Sequence, residues 1–233
     1  MILSELIQRS PIRIFEQSIH GGLKPGEIGL IASQSGIGKT SVLVQLALDK
    51  LLQGKKVIHV SFAQHTHYVL AWYEDIFDEF ISRKNLENAG EIKNEAVKNR
   101  VLMNFNQDVM SKDQIIKSLR AMIVEGGFAA EAVIIDGFDF SRTSRERIDN
   151  VKAFARELGL SVWYSCTVKD GELYDKQNMP PVIKDFADLV DVVIMLDPKH
   201  DHIELSVTKD RDTHDMKAMA TRLDPKTLLI LEL

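Results

Sequence analysis

Residues 33 to 41 read Ser33, Gln34, Ser35, Gly36, Ile37, Gly38, Lys39, Thr40, Ser41, between the apolar run "EIGLIAS" and the helix-forming stretch "KTSVLVQLALDKLLQG". A short buried strand that turns on glycines directly into a helix confines a chain to the α/β folds. The pattern G-x-x-x-x-G-K-[ST] is met except at its first position, where Ser33 stands for glycine. In that pattern the backbone N–H groups of the loop and the helix N-terminus cradle phosphates. Lys39 reaches the terminal phosphates, and the Thr40 hydroxyl ligates Mg²⁺. Ser33 is the position farthest from the lysine and tolerates a small side chain, whereas Gly38, directly before the lysine, is retained. All nine residues are nucleotide-binding candidates.

Alternation continues beyond the loop. "KVIHVSF", "VLMNF", "EAVIIDGF" and "LSVWYSC" read as further strands, with helical segments between them. Val69, Trp72, Tyr73, Ile76, Phe77, Phe80 and Ile81 recur at helical spacing and read as core or interface rather than a base-stacking platform. Residues 83–100 read as a polar helical excursion. Ser111 with Gln114 and Thr143 with Glu146 form two expected capping boxes. The βαβ rhythm predicts a mainly parallel sheet with helices on both faces. After residue 190, "DVVIMLD", "HIELSVTKD", "KAMATRLD" and "TLLILEL" follow one another too closely for crossovers, so antiparallel hairpins are expected there. With no repeat or linker, residues 1–233 read as one domain, residues 1–12 being an N-terminal extension. Asp136, within "AVIIDGF", is placed to reach the Mg²⁺ of Thr40.

Composition narrows the setting. There is no apolar stretch long enough for a signal peptide or membrane anchor, and the lone Cys166 in an apolar run reads as a reduced, buried thiol. A cytoplasmic location is expected. The net charge of -5 and pI near 5.8 leave no electrostatic footprint for DNA. The run "SRTSRER", with Arg142, Arg145 and Arg147, reads as a solvated helix start. The pairs His65/His67 and His200/His202 lack a third ligand and read as loop residues.

With these motifs placed, the chain resembles the RecA-like ATPases, and within them the KaiC and DnaB branch. "HGGLKPGEIGLIASQSGIGKT", "VIIDGF" and "DLVDVVIMLDPKHDHIELSVTKDRDTHD" carry the resemblance, which extends over roughly residues 12 to 233. It implies a three-layer RecA-like P-loop NTPase fold, with an antiparallel C-terminal hairpin extension, binding ATP and Mg²⁺. It also implies a ring-type homo-oligomer, often a hexamer, in which Lys209 and Arg211 contact phosphates of the adjacent subunit's nucleotide. One departure matters. The glutamate such enzymes carry after the second strand is replaced by Ala63 and Gln64, and the alternative position after Asp136 is Gly137. Gln64 and Asp139 are weak substitutes for that base. Nucleotide-dependent assembly or conformational switching with slow or absent hydrolysis is therefore the leading expectation. An active DNA motor is the alternative, and a small-molecule kinase ranks third.

Overall fold

Strands form where apolar residues occupy successive positions, because both faces of each must be covered. The structure, a computed structural model, describes residues 2–62, 66–84, 87–108, 114–169 and 178–233. Within them one nine-stranded sheet runs in the order β3-β2-β4-β5-β1-β6-β7-β8-β9. Its strands are β1 (Ile28–Ser33), β2 (Lys56–Ser61), β3 (Arg100–Asn104), β4 (Ala130–Asp136), β5 (Ser161–Thr167), β6 (Val192–Pro198), β7 (Ile203–Asp210), β8 (Lys217–Leu223) and β9 (Ile230–Glu232). Every residue of the central β1 is buried. It reads as a continuous apolar run because helices cover both its faces.

Alternate residues of each strand feed two separate cores. On one face Ile31, Val57, Ile134 and Trp163 pack beneath helices α1 (Leu3–Gln8), α2 (Pro11–Gln17), α3 (Lys39–Leu52), α4 (Thr66–Lys84) and α5 (Ala89–Lys98). On the other, Leu30, Val60, Ile135 and Tyr164 pack against α6 (Gln114–Arg120), α7 (Arg145–Leu158) and a 3₁₀ segment, Pro181–Leu189. The result is three layers, an α/β fold with a mostly parallel sheet and an antiparallel C-terminal region, consistent with a RecA-like fold. In α4, Val69, Tyr73, Ile76 and Phe77 are buried, and Trp72, Phe80 and Ile81 pack on the same cluster. The aromatic stripe is core.

Three local expectations need correction. β6 does not begin the antiparallel tail: it runs parallel to β1, pairing Gly29 with Val192 and Ala32 with Met195, and only β7–β9 are antiparallel. The chain between β5 and β6 is long enough to cross the sheet, which close reading of the tail alone overlooks. Helix α7 is capped by Ser144, whose side chain accepts from the Arg147 amide, not by Thr143. A 3₁₀ turn at Phe140–Arg142 precedes Thr143, which leaves the helix start one residue later. The helix expected after residue 111 passes from α6 into a π-helical turn, Ala121–Glu125, before Gly127 takes φ 67°; Ser111 lies outside the described residues. Among the described residues no helix is long and apolar enough to cross a membrane.

Candidate functional site

β1 ends at Ser33, and the chain reaches α3 through Gly36 (φ 80°) and Gly38 (φ 113°). Both angles lie where L side chains are strained, so each glycine is there for conformation. A Cβ on Gly38 would also stand 2.7 Å from Leu223 Cδ2. Lys39 opens the helix but turns its ammonium back over the strand end. Its Nζ donates to Ser33 O and Ser33 Oγ, each at 3.2 Å, and to Gln34 O at 2.6 Å. Burial pushes this lysine below its ordinary pKa, and the Asp136 carboxylate is among the groups that oppose the shift. Ser33 thus supplies a side-chain acceptor that glycine could not.

Thr40 Oγ1 donates to Asp136 Oδ2 at 2.8 Å. The two residues come from motifs 96 positions apart and meet because β1 and β4 end at the same edge of the sheet. Asp136 is 5% exposed and stands beside Ser61 in register. A hydroxyl and a carboxylate at hydrogen-bond distance are hard oxygen donors of the kind Mg²⁺ takes, usually together with phosphate oxygens and waters. No cluster of three or more His, Cys, Asp or Glu suited to a metal occurs among the described residues.

The surroundings fix this pair. Gly137 takes φ 76°, and its amide donates to Ser165 Oγ at 2.7 Å, so the polar end of β5 holds the turn after Asp136. Thr167 pairs in register with Ser33 and is exposed at the same edge. Asp139 is occupied with its own turn: its carboxylate accepts from the amide and hydroxyl of Ser141 at 2.9 and 2.6 Å. Gln64, with Ala63 and His65, lies outside the described residues. Cys166 is fully buried, and burial pushes its thiol up to about 12, which leaves it protonated and unreactive at neutral pH.

Lys209 and Arg211 are far from this cluster. Arg211 N donates to Asp191 O, and Asp191 N to Ile28 O, which places Arg211 level with the start of β1. The strand from Ile28 to Ser33 separates it from the loop by roughly 17 Å. Arg211 has φ 55°. Its Nε donates to Glu27 Oε1 (2.9 Å), Nη1 to Ile19 O (3.0 Å) and Asp210 Oδ1, and Nη2 to Gly22 O (2.9 Å) and Glu27 Oε2 (2.7 Å). A guanidinium has five N–H groups, so all of them are satisfied within the chain. Lys209 is 5% exposed, donates to Ala187 O at 2.7 Å, and is pushed down in pKa by burial.

Two arginines of "SRTSRER" are paired with carboxylates, Arg142 with Asp108 and Arg145 in a bidentate fork with Asp188. The sequence reading missed a set of contacts behind the loop. Ser41 is completely buried, and its hydroxyl donates to Leu228 O of the C-terminal segment.

No family model matches the chain. Over 46 residues, 20% of its length, it is 44% identical to a DNA repair protein RadA of Aquifex aeolicus, and the match spans 10% of that relative. Together with the mostly parallel sheet, this similarity fits a RecA-like, P-loop type of nucleotide-binding protein.

Proposed function

We propose that this chain binds ATP with Mg²⁺ as a RecA-type protein of the KaiC/DnaB branch and uses the nucleotide to set conformation or assembly. The observation that carries the reading is the half-buried Thr40–Asp136 hydrogen bond beside a Lys39 folded onto the end of β1. On binding, Lys39 would exchange the Ser33 and Gln34 oxygens for terminal phosphate oxygens. The loop amides and the start of α3 would hold the remaining negative charge. Thr40 and Asp136 would hold Mg²⁺, which when bound neutralises charge on the phosphate oxygens.

Hydrolysis is slow or absent in this reading, because the base positions carry Ala63 and Gly137. Losing a general base typically costs about 10²–10⁴ in rate. Asp139 is engaged in its own turn, which leaves Gln64 as the remaining candidate to orient a water. Arg211 stands at the opposite end of the sheet from its own loop, and Lys209 lies two strands from β1 at the level of Leu30, so any phosphate that Arg211 touches belongs to another subunit. Such a contact in a homo-oligomeric ring requires Arg211 to exchange its partners Glu27 and Asp210.

An ATP-driven DNA motor is the second reading, favoured by the name of the matched relative. The paired arginines and the acidic net charge weigh against it. Calorimetric ATP affinity and single-turnover hydrolysis, with Lys39→Ala as control and single-stranded DNA added, separate the two. Tight binding without turnover supports the switch. Turnover that rises with DNA and vanishes in the control supports the motor, and failure to bind overturns both. In the same assay Ala63→Glu is expected to raise the ATPase rate by at least about tenfold; an unchanged rate would reject the missing-base explanation.

A further inference from the structure

The phosphate helix has a second attachment, at its back. Ser41 Oγ donates to Leu228 O at 2.5 Å, and Gln45 Nε2, one turn further along α3, donates to the same carbonyl at 2.9 Å. Gln45 Oε1 in turn accepts from the Ile230 amide at 2.8 Å. Gln45 is 1% exposed, and its amide is spent on the C-terminal segment and on Ser41. Leu228 holds φ 55°, a left-handed conformation that strains a leucine. The docked carbonyl, with its two donors, accounts for that strain. The turn preceding it is closed by Leu228 N on Asp224 O at 2.7 Å, and by Lys226 N on Asp224 Oδ1 at 2.8 Å. Leu223, the last residue of β8, fills the space a side chain on Gly38 would need, with Leu228 of the segment beside it.

The segment therefore lies against Gly38 of the phosphate loop through Leu228 and bonds the helix that follows at Ser41 and Gln45. We propose that residues 224–230 form a strap that positions the first turn of α3 for phosphate binding and is tightened when nucleotide arrives. This rests on the ATP-binding reading. Phosphates gathered by the amides of residues 36–41 fix that first turn. A fixed turn opens its bonds to Leu228 and Ile230 less often. By linkage, a docked strap must strengthen nucleotide binding by the same factor as nucleotide strengthens docking. Gln45 and Ser41 are positioning residues here, since their side-chain polar atoms are taken up by Leu228, Ile230 and each other.

Amide hydrogen exchange of the full chain, with and without ATP and Mg²⁺, tests this. The Ile230 amide reports the Gln45 bond directly, and its exchange is expected to slow at least about fivefold with ATP. The amides of residues 36–41 should slow in parallel, and Lys39→Ala should show neither effect. Gln45→Met keeps the side-chain volume and removes the bonds to Leu228 and Ile230; it should weaken ATP binding about five- to tenfold and erase the Ile230 response. Protection at 36–41 with Ile230 unchanged would overturn the strap and leave ATP binding standing. No protection anywhere would overturn both. A Gln45→Met protein with a lowered Tm but undiminished ATP affinity would make the contact merely structural. If that variant does not fold, the wild-type exchange pattern still decides.

Discussion

Ser33 departs from the phosphate-loop pattern, and its oxygen atoms give the departure a use: hydroxyl and carbonyl both accept from Lys39 Nζ. The hydroxyl is one of three acceptors the lysine must leave before it can reach a phosphate. A single such bond contributes about 0.5–1.5 kcal/mol. Ser33→Gly, which restores the pattern, is therefore expected to tighten ATP binding by about two- to tenfold, measured by calorimetry. Sequence spacing identified the position but not this bond, because a lysine with no phosphate present can fold in several directions. His59 is a second case. It points into the core from β2, bonds Tyr73 Oη at 3.1 Å through Nδ1, and leaves Nε2 without a partner. Burial pushes its pKa from 6.5 down to about 4. Below pH 6.5 the unfolded chain takes up a proton that the folded chain refuses until about pH 4. This residue's contribution to stability therefore falls with pH across that window, by roughly 1.4 kcal/mol per unit. Denaturant titrations at a series of pH values should show this slope in the wild type and lose it in His59→Asn.

Among the elements, the strand–loop–helix unit was readable because its glycines sit at fixed offsets from the lysine. The two glycines nonetheless do different work. Gly36 has open space where a side chain would go, whereas Gly38 lies against Leu223. Gly36→Ala is expected to cost only backbone strain, about 1–2 kcal/mol. Gly38→Ala adds overpacking of about 1–3 kcal/mol and pushes on the C-terminal segment, so its Tm should fall further and its ATP affinity should drop more. Equal losses in the two variants would show that Leu223 yields freely. The cap at Ser144 and the parallel pairing of β6 escaped the sequence reading for a shared reason. Both depend on what the preceding segment does in three dimensions, a 3₁₀ turn in one case and a crossover in the other. The contacts of Ser41 and Gln45 were still less visible, since their partner is a main-chain carbonyl 187 and 183 residues away. A carbonyl leaves no mark on residue identity.

For the whole molecule, the alternation of strands and helices fixed the layers, and the two motif residues Thr40 and Asp136 met because parallel strands end at one edge. Which strands are neighbours was beyond reach: β1 lies between β5 and β6, an order set by how two cores close rather than by any local signal. Because the candidate site is built on that central strand, nucleotide should stabilise the entire fold. A ligand at about 100 times its Kd adds about 2.7 kcal/mol. Differential scanning fluorimetry with ATP and Mg²⁺ should register this as a rise in Tm of a few degrees, absent in Lys39→Ala. A rise in both proteins would place the binding elsewhere.

Because Arg211 lies at one end of the parallel strands and the phosphate loop at the other, the chain has polarity. A contact that joined the Arg211 end of one copy to the loop of another would be met twice over in an antiparallel two-fold pair, whereas in a head-to-tail array it would be met once per step. Each added copy would present the same unfilled end as the one before. Growth would stop only if the rotation per step closed a circle, and any other rotation would extend a helical filament.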